Sequence, residues 1–325
     1  MYANEQAETM SRSSLEALQL ERLKKTVEWA YDKSAFYKQL FRRKNFEPDS
    51  IQSLSDIKKL PFVSLSELHR TDALDILTLP FSSVLRFSHM NDQTGEVSKL
   101  YTKGDVLCNL EMMTRCLVAA DLHNASIVGV QGDMSDSIFL DVLYALESLG
   151  ATVVPFGNDY RQWLRLMEIV GIDTLISTPQ LIMQLIIQLQ AIGKNIIDYP
   201  LSKIICINTN NIQNPLQQHI QERTESRVYN LFAPPELGCA GMIYQCSEHS
   251  GHHVNEDYFI AELVKFDSGE VVDEDEHMGE LVITSLTAQA MPLIRYRTGQ
   301  AVRRMSGKCS CGRSFVRLAT PYTNA

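Results

Sequence analysis

Apolar residues recur at Leu15, Leu18, Leu20, Leu23, Val27 and Tyr31. This helical stripe predicts a helix that lays one face on the body of the protein. Ser13-Ser14-Leu15-Glu16 reads as a capping box, the Ser hydroxyl and Glu carboxylate exchanging bonds with the first free backbone amides. Pro48 and Pro61 then punctuate the chain into short helices and loops. From about Asp105 to Phe232 the pattern alternates. Apolar runs at Ser126–Val130, Thr152–Pro155, Thr174–Ser177, Lys203–Ile207 and Val228–Phe232 predict strands, with helical stretches such as DSIFLDVLYALESLG and RQWLRLMEIVG between them. Continuous apolar strands separated by amphipathic helices make a largely parallel sheet covered on both faces. After about Gly241 the texture turns to strands and turns, as in YFIAELVKF, GELVITSL and AVRRM. The expectation is an α/β protein with three regions: a helical segment over 1–104, a central α/β subdomain over 105–240 and a β-rich subdomain over 241–325.

Composition narrows the function classes. A chain of 325 residues with 45% hydrophobic residues can bury a substantial core. Its formal charge of −9 argues against a nucleic-acid partner, which needs a basic stripe. No apolar run is long enough to cross a bilayer, and the N-terminus lacks a signal-peptide pattern. Seven cysteines without a disulfide-like rhythm fit a reducing cytoplasm.

The segment Gly279–Gln300, GELVITSLTAQAMPLIRYRTGQ, pairs an apolar strand with a second apolar run closing on Arg295-Tyr296-Arg297-Thr298. TVEWAYDKSAFYKQLF, SLSDIKKLPFVSLSELH, LESLGATVVPFGNDYRQWLRLMEIVGIDTLISTP and HHVNEDYFIAELV precede it in the chain. Together they resemble phenylacetate–CoA ligases and their relatives in the adenylate-forming superfamily, from about residue 15 to about 315. The resemblance implies the N-terminal-domain fold of that superfamily, with a central, mostly parallel sheet flanked by helices and a β-rich subdomain. It also implies a pocket for a small carboxylate or acyl ligand.

The resemblance further implies nucleotide positions, and several depart from the family pattern. The Ser/Thr/Gly-rich phosphate loop corresponds to Ser88–Glu96, where Thr94 and Gly95 survive but Glu96 takes the place of the Lys. An acid beside a triphosphate is repulsive, which disfavours ordinary ATP, AMP and Mg²⁺ binding. The Gly-Ala-Glu-Pro motif corresponds to Thr209-Asn210-Asn211-Ile212 and is absent. Tyr-Gly-Leu-Ser-Glu corresponds to Phe232-Ala233-Pro234-Pro235-Glu236, keeping an aromatic at Phe232 and the acid Glu236. In the family that Glu helps hold Mg²⁺; a helix-N-terminal acid after the Pro pair is the bland alternative. The ribose-binding Asp is replaced by Gln300, three residues after Arg297. The chain ends at RLATPYTNA, where the family continues into a C-terminal domain, so that domain is expected to be absent.

Cys246 and Cys309-Ser310-Cys311-Gly312 are a second candidate site. By the resemblance, a Cys, a downstream His and a C-x-C-G pair recur in matching places; His253 matches that His best, with His252 and His249 as alternatives. Three thiolates and an imidazole at four positions suit a closed tetrahedral zinc site, structural rather than catalytic. Free thiols near a polar turn are the alternative. Other candidates have plainer readings. In Gln131–Asp136, Ser135 or Asp136 reads as a helix N-cap, while Asn158 and Asp159 read equally as ligand contacts at a strand's C-terminal end or as caps of the next helix. Arg295 and Arg297 either grip a phosphate or carboxylate, or form structural ion pairs. His69, His123 and His219 read as surface residues.

Two functions follow. One is a ligase-like protein with an impaired nucleotide site that binds a small carboxylate or acyl ligand or a protein partner, as a homodimer or a pathway component. The other is an active acyl- or aryl-adenylating enzyme or CoA ligase with rewired ATP contacts or a separately supplied C-terminal domain.

Overall fold

The N-terminal helix follows the apolar stripe, with its cap shifted. The computed structural model describes all residues except Gln93, Thr94, Asn158, Ala240 and 322–325, and only the backbone of Met90, Asn91, Asp92 and Gly95. After the single turn α1 (Glu5–Glu8), α2 (Arg12–Lys33) buries Leu15, Leu23, Val27 and Ala30. Its N-cap is Ser11, whose side chain accepts from the Ser14 amide, while Glu16 pairs with Arg12. The capping box expected at Ser13–Glu16 does not form, because Ser13 already lies in the first turn and Glu16 is engaged one turn back. Ser34 ends α2 and caps α3 (Ala35–Arg43). The short helices α4 (Leu65–His69) and α5 (Ala73–Ile76) lead to an antiparallel hairpin of β1 (Arg86–Asp92) and β2 (Gly95–Tyr101). Helix α6 (Lys103–Ala119) follows, opened by a reciprocal cap in which Thr102 and Asp105 bond each other's backbone amides.

The chain divides into two compact units. One holds Asn109–Pro234, Cys239–Ser250 and the first three residues. Here β3 (Ile127–Gln131), α7 (Ser137–Leu149), β4 (Thr152–Phe156), α8 (Tyr160–Val170), β5 (Thr174–Ser177), α9 (Pro179–Ala191), β6 (Lys203–Asn208), α10 (Leu216–Thr224) and β7 (Arg227–Phe232) alternate along the chain. The strands lie in the order β7-β6-β5-β3-β4, all parallel, with β8 (Ile243–Tyr244) antiparallel against β7. Residues of β5, β6 and β7 are buried almost without alternation, as expected of strands covered on both faces. Trp163, Ile182, Leu189, Ile204, Ile220 and Val228 sit in one of its buried clusters. Asp136 and Asp159 cap α7 and α8, the plain reading of those acids.

The other unit holds Asn4–Cys108, Pro235–Gly238 and Gly251–Ala325. Its strands β9 (His252–Val254), β10 (Phe259–Val264), β11 (Met278–Ser285), β12 (Tyr296–Arg304) and β13 (Arg317–Ala319) form an antiparallel array in the order β10-β11-β12-β13-β9. The N-terminal helices are bonded to it by polar side chains. Gln19 donates to the Glu256 carbonyl, Thr26 to that of Leu286, and Tyr37 to that of Pro292 while accepting from the Ile294 amide. A wholly buried ion pair joins Glu8 to Arg313. These long-range bonds tie the N-terminal helices and the β-rich strands into the same compact unit, although they lie at opposite ends of the chain.

Candidate ligand pocket and cysteine–histidine cluster

β2 carries a buried cation. Lys99 is 6% exposed, and its ammonium donates to the Glu236 carbonyl at 3.1 Å and the Met291 carbonyl at 2.9 Å. Its stem fits because residue 238 is glycine: a Cβ there would meet Lys99 Cγ at 2.6 Å, and Gly238 holds φ +65°. Pro235–Gly238 is a turn, so the helix-cap reading of Glu236 is not realised.

Lys99 and Glu236 line a cavity of about 190 Å³ within this unit. Glu96, Ser98 and His89 from the hairpin face it too, against apolar walls from Leu68, Ile76, Val97, Met291 and Leu293. Cross-strand neighbours His89 and Ser98 hydrogen-bond at 2.9 Å. The cavity's wall near Met291 is fixed by Asp105, whose carboxylate accepts from the Gln289 and Ala290 amides. Of the expected nucleotide residues, Thr94 lies outside the described residues and only the backbone of Gly95 is described, at the start of β2. Phe232 is buried at the end of β7 in the parallel sheet's unit.

Arg295 and Arg297 make ion pairs. Arg295, at φ +49° just before β12, donates to both Glu262 carboxylate oxygens at 2.9 and 3.0 Å and to the Leu60 carbonyl. Burial lifts the Glu262 carboxyl above its ordinary range despite Arg295. Arg297 pairs with Glu280. The other Glu280 oxygen accepts from the Gly299 amide, closing a bulge between β11 and β12 that holds Thr298, Gly299 and the half-buried Gln300. Both guanidiniums lie over the Phe62 ring. Lys99 was not singled out by sequence reasoning, since the carbonyls that hold it lie far away in the chain.

β9 and β13 bring three candidate metal ligands together. His253 is opposite Arg317 across the β9–β13 pairing. Its Nδ1 lies 3.2 Å from the Phe315 carbonyl and its Nε2 3.4 Å from Cys311 Sγ. A carbonyl can only accept, so Nδ1 carries the proton and Nε2 presents its lone pair toward sulfur. The Cys309–Gly312 turn closes by the Gly312 amide on the Cys309 carbonyl, with Gly312 at φ +86°. The ligand atoms of His253, Cys309 and Cys311 lie within 4.8 Å of one another. Burial opposes charge on both partners, yet their mutual bonds raise His253 and lower Cys309 from their ordinary values. A compact group of two sulfurs and an imidazole nitrogen, its second ring nitrogen anchored to a carbonyl, fits zinc chemistry. Cys246 is buried in the other unit, and His249 packs at a tilt against the Tyr229 ring there. That contact takes His249 away from the alternatives; His252 stands opposite Leu318.

No family profile matches the chain. Curated relatives do. It is 29% identical over 320 residues to a phenylacetate–coenzyme A ligase of Thermus thermophilus, covering 96% of this chain and 70% of the relative. It is 28% identical to the phenylacetate–coenzyme A ligase of Escherichia coli K12, covering 96% of this chain and 72% of that one. The chain is phenylacetate–CoA ligase-like: along nearly its whole length it is similar to those members of the adenylate-forming superfamily. Solved structures agree in fold. A 2-hydroxyisobutyryl-CoA ligase in complex with 2-HIB-AMP and CoA superposes with TM-score 0.87 at 18% identity, covering 96% of this chain and 70% of that one. A long-chain-fatty-acid–CoA ligase from Archaeoglobus fulgidus matches at TM-score 0.54 and 11% identity over 73% of this chain and 51% of that one. As a ligase-like chain, it has the expected fold class: a mostly parallel sheet flanked by helices, and a β-rich region.

Proposed function

We propose that this chain binds a small carboxylic acid or acyl derivative on the ligase scaffold and performs little ATP-dependent ligation. The observation that carries this reading is the charge of the cavity beside the β1–β2 hairpin, where Glu96 and Glu236 both face the space. Two carboxylates there oppose a polyphosphate, and the guanidiniums of Arg295 and Arg297 are already held by Glu262 and Glu280. ATP–pyrophosphate exchange with a panel of aryl and acyl carboxylic acids tests it. Little or no substrate-dependent exchange is expected; robust exchange overturns the reading.

A second reading, an active adenylating enzyme or CoA ligase with rewired ATP contacts, draws support from the names of the relatives and from Glu236 at the cavity. It requires binding of ATP, AMP or an acyl-adenylate mimic, and calorimetry without such binding at millimolar concentration rejects it.

The same proposal includes a structural zinc held by His253, Cys309 and Cys311. Bound there, zinc would supply a covalent-strength clip between chain-distant segments and no chemistry at the ligand cavity.

A further inference from the structure

We propose that a groove along helix α2 receives an extended segment of a protein partner that presents a basic residue between apolar ones. The groove has a volume of about 740 Å³ and shares no lining residue with the cavity beside β2. That volume falls within the roughly 300–1,000 Å³ of ligand clefts. One wall is the α2 stripe of Lys25, Glu28, Trp29 and Asp32, and the other is residues 286–289.

The two walls are bonded to each other inside one compact unit. Thr26 donates to the Leu286 carbonyl, Trp29 Nε1 and Thr78 to the Gln289 carbonyl, and the Gln289 amide to Asp105. Between these anchors, the backbone amides and carbonyls of Thr287 and Ala288 have no hydrogen-bond partner among the described residues. Unpaired backbone beside an apolar groove suits an extended chain, which can supply the missing bonds. Trp29 is half-buried and, with Leu79, Leu286 and Ala288, gives that chain an apolar bed.

Charge decides the kind of partner. Lys25 is paired with Glu21 at 2.6 Å, and the Lys33 ammonium lies over the Trp29 ring. Glu28 and Asp32, one helical turn apart and both exposed, make no ion pair among the described residues. Two uncompensated carboxylates therefore line the groove against one ammonium, and a Lys or Arg side chain completes the rim. A second copy of this chain is a poor occupant, because its formal charge of −9 sets like sign against like.

The chain has two tryptophans, and Trp163 is fully buried in the other unit, so occupation of the groove is read in Trp29 fluorescence. Titration of the full chain with Ac-Leu-Arg-Leu-Arg-Leu-NH2 and Ac-Leu-Glu-Leu-Glu-Leu-NH2 as probes tests the inference. The basic peptide is expected to bind at least about tenfold more tightly than the acidic one. E28K/D32K should weaken the basic peptide by at least about tenfold and reverse the preference, with an unchanged thermal midpoint confirming the fold. Equal binding of the two peptides, indifference to E28K/D32K, or no binding at millimolar concentration overturns the proposal. So does a dimer in sedimentation velocity that E28K/D32K dissolves, since a second copy then occupies the groove.

Discussion

At the scale of single residues, charge burial decides most of what is distinctive here. Arg295 spends its guanidinium on Glu262, on two backbone carbonyls and on the Phe62 ring, 4.0 Å from its centroid. Arg295→Met therefore leaves Glu262 buried without its counter-charge and is expected to lower stability by about 3–5 kcal/mol at neutral pH. The penalty has a pH dependence whose sign follows from the raised Glu262 value. A carboxyl with a raised folded-state pKa contributes stability that is complete below its unfolded value and is lost as pH rises through the folded value. The Arg295→Met penalty should thus shrink toward the acid side of the ordinary Glu range, where the stranded carboxyl is neutral. Urea unfolding of parent and variant at neutral and mildly acid pH checks both; an unchanged difference excludes Glu262 as the cause. Lys99 illustrates why residue type alone misleads. Its partners are carbonyls 137 and 192 positions away in the chain, so no local window could reveal that this lysine is buried.

At the scale of elements, caps and turns are the sensitive points. Ser11→Ala is expected to cost about 1 kcal/mol of stability, and Ser13→Ala less than about 0.5 kcal/mol, because only Ser11 accepts from the first-turn amide of Ser14. Denaturant midpoints of the two variants discriminate the observed cap from the one read off the sequence. The Pro235–Gly238 turn holds the stem of Lys99, and Gly238 has no space for a Cβ. Gly238→Ala should cost about 1–3 kcal/mol, combining the left-handed backbone with the Lys99 contact. Differential scanning calorimetry measures it, and a neutral result would show that the Lys99 stem moves aside freely. Strands were the most legible elements. The five runs of the central region fall within a residue or two of β3–β7, since continuous apolar character reports burial on both faces whatever the partner. Helix starts were less legible, because Ser11, Ser13 and Ser14 offer equivalent hydroxyls and the backbone geometry of the whole turn selects one.

At the scale of the whole molecule, the proposed zinc clip has the widest consequence. The purified chain is expected to hold one zinc, and its removal by chelation to lower the unfolding midpoint by at least ~5 °C, equivalent to about 2 kcal/mol. Cys309→Ser should reproduce the loss and abolish the response to chelator. A chain that elutes metal-free with an unchanged midpoint refutes the clip. The cysteines and histidines were visible as candidates in the sequence, but the choice among histidines was not. His253 is selected because β9 pairs with β13, which sets its ring against Cys311 and the Phe315 carbonyl. The sequence by itself determined the parallel-sheet core, the β-rich region and the family resemblance, because these follow from local hydrophobic patterning and from strings long enough to carry a resemblance. Only the tertiary structure decided which charges meet. Glu262 with Arg295, Glu280 with Arg297, and the Lys99 ammonium on the Glu236 backbone carbonyl are contacts between chain-distant residues, and electrostatics depends on through-space distance and burial, neither of which is encoded in any single stretch of chain.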